Sequence, residues 1–312
     1  MGKYVLKRLL WMIPIIFGVA VLVFTLMYFC PGRPEQIILG AGASEADMLA
    51  LRQQLRLDDP FIVRLGRFLS DTFIKFDFGR SWITNMSIKE SIIERMPRTM
   101  ILAISIMLLS VVVGLPLGVV AATHQNRWQD NLCMTLALIG VSVPSFWLAL
   151  LLIILFSIKL NLLPPMGIGG IQYYILPALA GCTGGIANLA RQTRSSMLDV
   201  IRSDYITTAR SKGVSENKVI TKHALKNALI PIITIIGTMF GRLLGGTMIL
   251  ETIFGIPGMG SYIVTGVNNR DQPIVLIGSI MLAITFSLCM LGVDLVYAAV
   301  DPRIKAQYAK KR

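Results

Sequence analysis

Apolar runs long enough to cross a bilayer alternate along this chain with short polar stretches. About 20 apolar residues, at about 1.5 Å rise each, cross a hydrocarbon core about 30 Å thick. Six stretches of the 312-residue sequence approach or exceed that length: 9–29, 99–123, 131–158, 173–189, 227–250 and 272–299. The fifth is interrupted only by Arg242, and Asp294 lies within the last turns of the sixth. Helices are the expected form, because an isolated strand leaves its backbone unsatisfied in lipid. The pattern predicts an all-α integral membrane protein with six transmembrane helices.

The polar stretches differ in kind. Segment 31–98 reads as short amphipathic helices. Ser44 with Asp47 is a capping-box variant ahead of Met48, Leu51 and Leu55; Asp59-Pro60 is an N-cap and first-turn proline ahead of Phe61, Leu65, Phe68 and Leu69; Ser87 and Glu90 repeat the capping pattern before Ile92 and Ile93. Two readings stay open for it, a cap packed on the bundle or a docking surface for an external partner. The loop 161–172 is short and rich in Gly and Pro, enough for a turn and not for a domain. Between the fourth and fifth runs lies 199–226, long, polar and basic. It has the length of two short helices joined at Gly213, with Ser215 and Glu216 opening a second helix whose Val219, Ile220, Ala224 and Leu225 share a stripe. Its length, central glycine and amphipathicity suit a helix that docks in a partner's groove.

Composition agrees with the pattern: 54% of residues are hydrophobic and 15% charged, against about 25% charged in a soluble domain. The cations fix orientation. Lys3, Lys7 and Arg8 precede the first run and Arg127 separates the second and third. Arg191, Arg194, Arg202, Arg210, Lys212, Lys218, Lys222 and Lys226 separate the fourth and fifth, and Arg303, Lys305, Lys310, Lys311 and Arg312 close the chain. By the positive-inside rule both termini face the cytosol, N-in and C-in. The net charge of +13 is thereby explained by topology, and with no groove-reading module around these cations a nucleic-acid partner is not expected. The opening run is too long for a cleavable signal peptide and no small-residue cleavage site follows it. Cys30, Cys133, Cys182 and Cys289 have no paired spacing and read as packing residues. His124 and His223 stand apart and make no metal site. The chain carries no phosphate loop, no nucleophile elbow and no His-Glu-x-x-His pair. Neither catalytic nor cofactor-binding residues are expected, so energy for any transport comes from a partner or from a gradient.

The 199–226 stretch closely resembles the cytoplasmic coupling loop of binding-protein-dependent ABC importer permeases. The general family pattern is a Glu-Ala-Ala triplet followed by a Gly and an Ile-x-Leu-Pro element. It aligns with Thr207-Thr208-Ala209, Gly213 and His223-x-Leu225-Lys226, and only Ala209, Gly213 and Leu225 match. The fuller pattern of the dipeptide, oligopeptide and nickel branch is matched by Asp204, Tyr205, Thr208, Ala209, Arg210, Lys212, Gly213, His223, Ala224, Leu225, Asn227, Ala228 and Pro231. Glu216 joins these as a loop residue. Cys30-Pro-Gly-Arg-Pro34 is similar to the family's Pro-Gly-Asp-Pro, with Arg33 in place of the acid. The stretches beginning at Thr193, Glu251, Asn269 and Asp294 also fit, so the resemblance runs from end to end.

The resemblance implies a type I importer permease fold in the bacterial cytoplasmic membrane. Residues 1–30 would form the first edge and helix, 31–98 a non-cytoplasmic segment, and 99–312 a five-helix core carrying the coupling loop. It implies partners as well: a second permease subunit, two ATPase subunits, an extracytoplasmic solute-binding protein and membrane lipid. The cargo it implies is di- or oligopeptides, with nickel chelates or glutathione as alternatives. A gradient-driven transporter is the rival of another class; it would need an intramembrane proton or sodium relay, for which Arg242 and Asp294 are too few and too separated.

Charges at membrane depth are functional candidates because of their cost there. Arg242, flanked by Gly241, Gly245 and Gly246, meets either a substrate carboxylate or a structural acid, Glu251 or one from another subunit. Gly245, Gly246 and Glu251 stand with it as substrate-pathway candidates. Glu251 and Asp294 themselves read better as interface or capping groups.

Overall fold

The computed structural model describes residues 2–40 and 42–300, and side chains within 5–40 and 42–295. The basic tail from Arg303 to Arg312 and the end of the stretch that begins at Asp294 lie outside the described residues. Helices follow one another along the chain: α1 Gly2–Phe29, α2 Pro34–Leu39, α3 Glu45–Gln54, α4 Phe61–Phe73, α5 Ile88–Thr123, α6 Trp128–Ser142 and α7 Ser145–Leu152, the last running into a π segment, Ile153–Lys159. Then come α8 Gln172–Ile201, α9 Asp204–Ser211 and α10 Glu216–Lys218, which enters a second π segment, Val219–Ala224. The chain goes on through α11 Leu225–Gly246, α12 Met248–Ile253, α13 Met259–Asn268 and α14 Gln272–Val300. Among the described residues the only β feature is an isolated bridge, Arg80 with Ser87.

Four of these stretches are long and apolar enough to cross a membrane: Val5–Phe29, Ile88–Thr123, Glu216–Gly246 and Gln272–Leu295. The expected third run, 131–158, is not one straight helix. It is the pair α6 and α7, bent by 93°, because Pro144 forces the preceding residue out of the helical region. Val143 accordingly sits at φ −84°, ψ 120°. Counted as one span, the pair brings the total to five. The expected fourth run, 173–189, is only part of α8, which continues through Gln192, Arg194 and Asp199 to Ile201; Tyr173, Tyr174, Thr183 and Asn188 within the run itself keep it from ranking among the long apolar spans. The expected fifth run, 227–250, stops at Gly246 and resumes as α12 after Thr247.

The chain divides into two compact units. One comprises Gly2–Thr99 with Pro257–Ser287. Its core gathers Ile88, Ile92, Met259, Tyr262, Ile274 and Ile277, with Phe68 and Phe78 against them. An aromatic cluster of Phe24, Tyr28, Phe61 and Phe68 joins α1 to α4. Ser44 caps α3 as expected, accepting from the Asp47 N–H at 3.2 Å. Pro60 occupies the N-cap of α4 instead of its first turn, and Asp59 pairs with Arg67 instead of capping. Buried Asp271 accepts from Ser81 Oγ and from the Trp82 N–H, fastening 81–83 to the start of α14.

The second unit comprises Met100–Ile256 and the stretch beginning at Leu288, and α8 is its hub, packed against α6, α7, α11 and α12. Helices in lipid gain no hydrophobic drive from meeting one another, so small residues that admit close van der Waals contact decide where they pack. Gly114 and Gly118, one turn apart on α5, lie against α8. A Cβ at Gly118 would stand 2.6 Å from the Ala190 carbonyl oxygen, and one at Gly114 2.9 Å from that of Ile186. Gly184 on α8, by contrast, has nothing within 4 Å of such an atom.

Overpacking of this kind costs about 1–3 kcal/mol. Gly118→Ala is expected to lower the thermal unfolding midpoint of the detergent-solubilised protein, and Gly184→Ala to leave it nearly unchanged. Differential scanning fluorimetry of the two variants checks this.

Candidate functional site

The 199–226 stretch is an ordered corner. α9 ends in a Schellman motif: the Gly213 N–H donates to the Arg210 carbonyl at 2.9 Å and the Val214 N–H to that of Ala209 at 3.3 Å. The motif needs a left-handed residue, and Gly213 supplies it at φ +77°. The turn expected at Gly213 is there, but the second helix is not a separate piece. From Glu216 the chain passes through α10 and the π segment straight into α11. In the π segment the Leu225 N–H reaches back five residues to the Ile220 carbonyl, which brings Val219 and Ala224 to one face. Both are fully buried, with Ile206 of α9, Met197 of α8 and Ala228 and Ile232 of α11.

The corner therefore has two sides. Ile206, Val219 and Ala224 bind it to the bundle, and Ala209 and Leu225 pack partly buried against the same core. Asp204, Tyr205, Thr208, Arg210, Lys212, Gly213 and Glu216 are exposed, and His223 is half-buried. Of the loop residues singled out in the sequence, Ala224 thus lies wholly inside and holds the loop from behind. Arg210 and Glu216 bridge the corner through paired hydrogen bonds of 2.6 and 3.1 Å. The carboxylate beside it holds the Arg210 guanidinium above its ordinary pKa. An exposed pair of this kind contributes about 0.2–1 kcal/mol, enough to bias the geometry of a tight turn. Asn227 Nδ2 donates to Tyr205 Oη at 3.0 Å and to the His223 carbonyl at 2.9 Å, tying α9 to the start of α11.

The pathway candidates separate. Arg242, Gly245 and Gly246 stand at i, i+3 and i+4 on α11 and are exposed on one face, with open space at both glycines. Glu251 is fully buried on α12 and accepts from Thr247 Oγ1 at 3.1 Å. No ion pair joins Glu251 and Arg242 among the described residues. Arg242 lines a cleft of about 460 Å³ together with Gly184, Asn188 and Arg191 of α8.

One feature beside the loop was not singled out in the sequence. Asp130, in the first turn of α6, takes two hydrogen bonds of 2.6 Å from Arg194 of α8 and a third of 3.0 Å from the Asn126 N–H. Its side chain is 3% exposed. It lies one residue before the run 131–158, and so escaped the rule applied to charges inside runs; an acid in the first turn of an apolar helix was the available signal.

The described residues thus form a helical chain with apolar spans and an ordered basic corner. Residues 114–306 match the family model of the binding-protein-dependent transport system inner membrane component, and residues 1–103 match the model of its N-terminal region. The chain is 42% identical over 305 residues to the glutathione transport system permease protein GsiC of Salmonella typhimurium (strain LT2), with 98% of this chain and 99% of the relative covered. It is 41% identical, with the same coverage, to GsiC of Escherichia coli (strain K12). In fold it is similar to a chain of the MetNI methionine ABC transporter in its inward-facing conformation. That likeness has a TM-score of 0.58 and 17% sequence identity, and covers 68% of this chain and 96% of that one. The protein belongs to the binding-protein-dependent transport system inner membrane component family: it is a permease subunit of an ABC importer, a multi-pass protein of the bacterial inner membrane.

Breaking a buried pair by removing one partner costs about 3–5 kcal/mol, because the other charge is left behind. Asp130→Asn is expected to lower the unfolding midpoint of the purified protein, and Asp130→Asn with Arg194→Gln to recover part of the loss. A double-mutant cycle in detergent measures the coupling.

Proposed function

We propose that this chain is one of two permease subunits of an importer driven by ATP hydrolysis in separate subunits, and that its cargo is a small peptide, glutathione among the candidates. The observation that carries this reading is full-length similarity to glutathione permeases at 42% identity. Di- and oligopeptides belong to the same chemical class. In this reading the α6–α7 pair crosses as one span and α8 crosses with its 173–189 part, which gives six spans. The cations of 191–226 then lie on the cytosolic side with both termini. A solute-binding protein would deliver cargo from the opposite side, where 31–98 would lie.

The exposed face of α9 and of the corner at Gly213 would dock on the ATPase subunit. Asp204, Tyr205, Thr208, Arg210, Lys212 and Glu216 form its contact surface, and Ala209, Ala224 and Leu225 hold that surface against α8 and α11. Closure of the ATPases would push on a corner continuous with α11, and the helices would rock as a body. Rigid transmission of this kind requires an ordered loop, which the Schellman turn and the Ile206 anchor supply.

A valine at Gly213 would put a β-branched side chain at φ +77°, a conformation that costs about 1–2 kcal/mol for an L-residue. Gly213→Val is expected to leave membrane insertion intact while abolishing ATP-dependent uptake of labelled glutathione and co-purification of the ATPase subunits. Wild-type uptake by this variant would rule out the coupling role. Uptake by the purified chain alone, driven by an ion gradient, would rule out the importer assembly.

A further inference from the structure

The cleft beside Arg242 holds a second unpaired cation. Arg191 of α8 lines it from the other side with Asn188, and Val141 and Leu243 supply apolar wall. Both arginines are exposed, and no carboxylate is among the described residues that line the space. Arg194, one turn further along α8, shows the alternative: it is fully engaged by Asp130. Arg191 and Arg242 have no ion-pair partner among the described residues.

The backbone sets the two cations on one cleft. Gly185 of α8 packs against Met239 of α11, while Met197 of α8 shares a core with Ala224 and Ala228 at the other end, so the two helices run antiparallel. From the Gly185–Met239 level Arg191 lies toward the loop and Arg242 away from it, their Cα levels about 13 Å apart at 1.5 Å rise per residue. Side chains in a helix lean toward its N-terminus. In antiparallel helices those directions are opposed, and here each arginine leans toward the other. Gly184 contributes no side chain to the space between them and would admit one without a clash.

Two guanidinium groups directed into one partly apolar cleft repel each other, and each is costly to desolvate without an anion. Planar guanidinium matches a carboxylate through two parallel hydrogen bonds, and Asn188 adds a neutral donor. We propose that Arg191, Arg242 and Asn188 form an anion subsite on the substrate route that receives a carboxylate of the peptide, so that the permease itself selects for net-negative peptides. The subsite rests on the peptide-import reading above and deepens it.

The test uses the complete importer, with permease pair, ATPases and binding protein, reconstituted in phosphatidylcholine vesicles. The probes are labelled glutathione and, for equilibrium binding to the transporter without its binding protein, glutathione and its diethyl ester. Arg242→Gln and Arg191→Gln are each expected to weaken glutathione binding and slow its uptake by about tenfold or more, as loss of a charge-assisted bond does. Arg242→Lys should recover part of that loss. Ester binding, weak in the wild type, should not change in any variant. Four results would overturn the subsite: equal glutathione binding in wild type and variants; equal losses for glutathione and ester; loss of the second permease from the purified complex, which would make Arg242 an inter-subunit ion pair; or a charge dependence seen only when anionic lipid is added, which would make it a headgroup site. Failure of the peptide reading is distinct, since wild-type complex would then import neither glutathione nor di- and oligopeptides, and the subsite would fall with it.

Discussion

Close approach of helix backbones around α8 is the constraint on which the unit of Met100–Ile256 depends. Lipid tails are as apolar as leucine side chains, so the attraction between spans comes from packing at short range. Gly114 and Gly118 let α5 lie against the α8 backbone at Ile186 and Ala190. Gly181 and Gly185 of α8 return the arrangement, with Ile106 and Leu250 filling the space at the first and Ser110 and Met239 at the second. Larger side chains at any of these points would separate the helices, and with them the core of Leu102, Ile106, Leu176 and Leu250.

Because α8 is held this firmly, its last turns make a fixed base for the corner that follows. Met197 is fully buried with Ile206 and Val219, and α9 is thereby seated by its apolar stripe with its polar side outward. The π segment is what makes the geometry work. An α-helical register would rotate Val219 and Ala224 away from each other, and the five-residue repeat returns both to the core. The corner is thus stiff toward the bundle and charged toward the cytosolic partner it is proposed to meet.

Sequence periodicity made the helical class, the long apolar runs and the turn at Gly213 legible, because each rests on local chemistry. Length of apolar run gives a helix and a glycine gives a left-handed cap. The bend at Val143-Pro144 was legible in principle, since proline restricts its predecessor, yet the apolar run masks it: hydropathy counts residues and ignores φ and ψ. The burial of Ala224 and Leu225 was half legible, as a stripe, but the continuity from Glu216 into α11 depends on a π turn for which the sequence has no signal. Pairings across helices were out of reach. Asp130 meets Arg194 across 64 positions, and Arg191 reaches Arg242's cleft, through a tertiary arrangement that no spacing encodes. The structural pairing of Arg242 with Glu251, left open from sequence, gives way because α12 turns Glu251 inward to Thr247.

Arg191 and Arg194 show how one helix can use the same residue type for opposite ends. They lie three residues apart, on adjacent turns of α8, yet their side chains meet different surroundings. The face of Arg194 meets α6, where the buried Asp130 carboxylate, which also accepts from the Asn126 N–H, balances its charge, and that site is closed. The face of Arg191 opens on the cleft that Arg242 also lines, with no carboxylate among the described lining residues. A bundle that needed both arginines only for anchoring would gain by pairing them alike. In the proposed subsite, leaving this pair of cations uncompensated would be costly until an anion arrives. That cost would convert a structural cleft into one that discriminates between ligands by charge, as the proposed subsite requires.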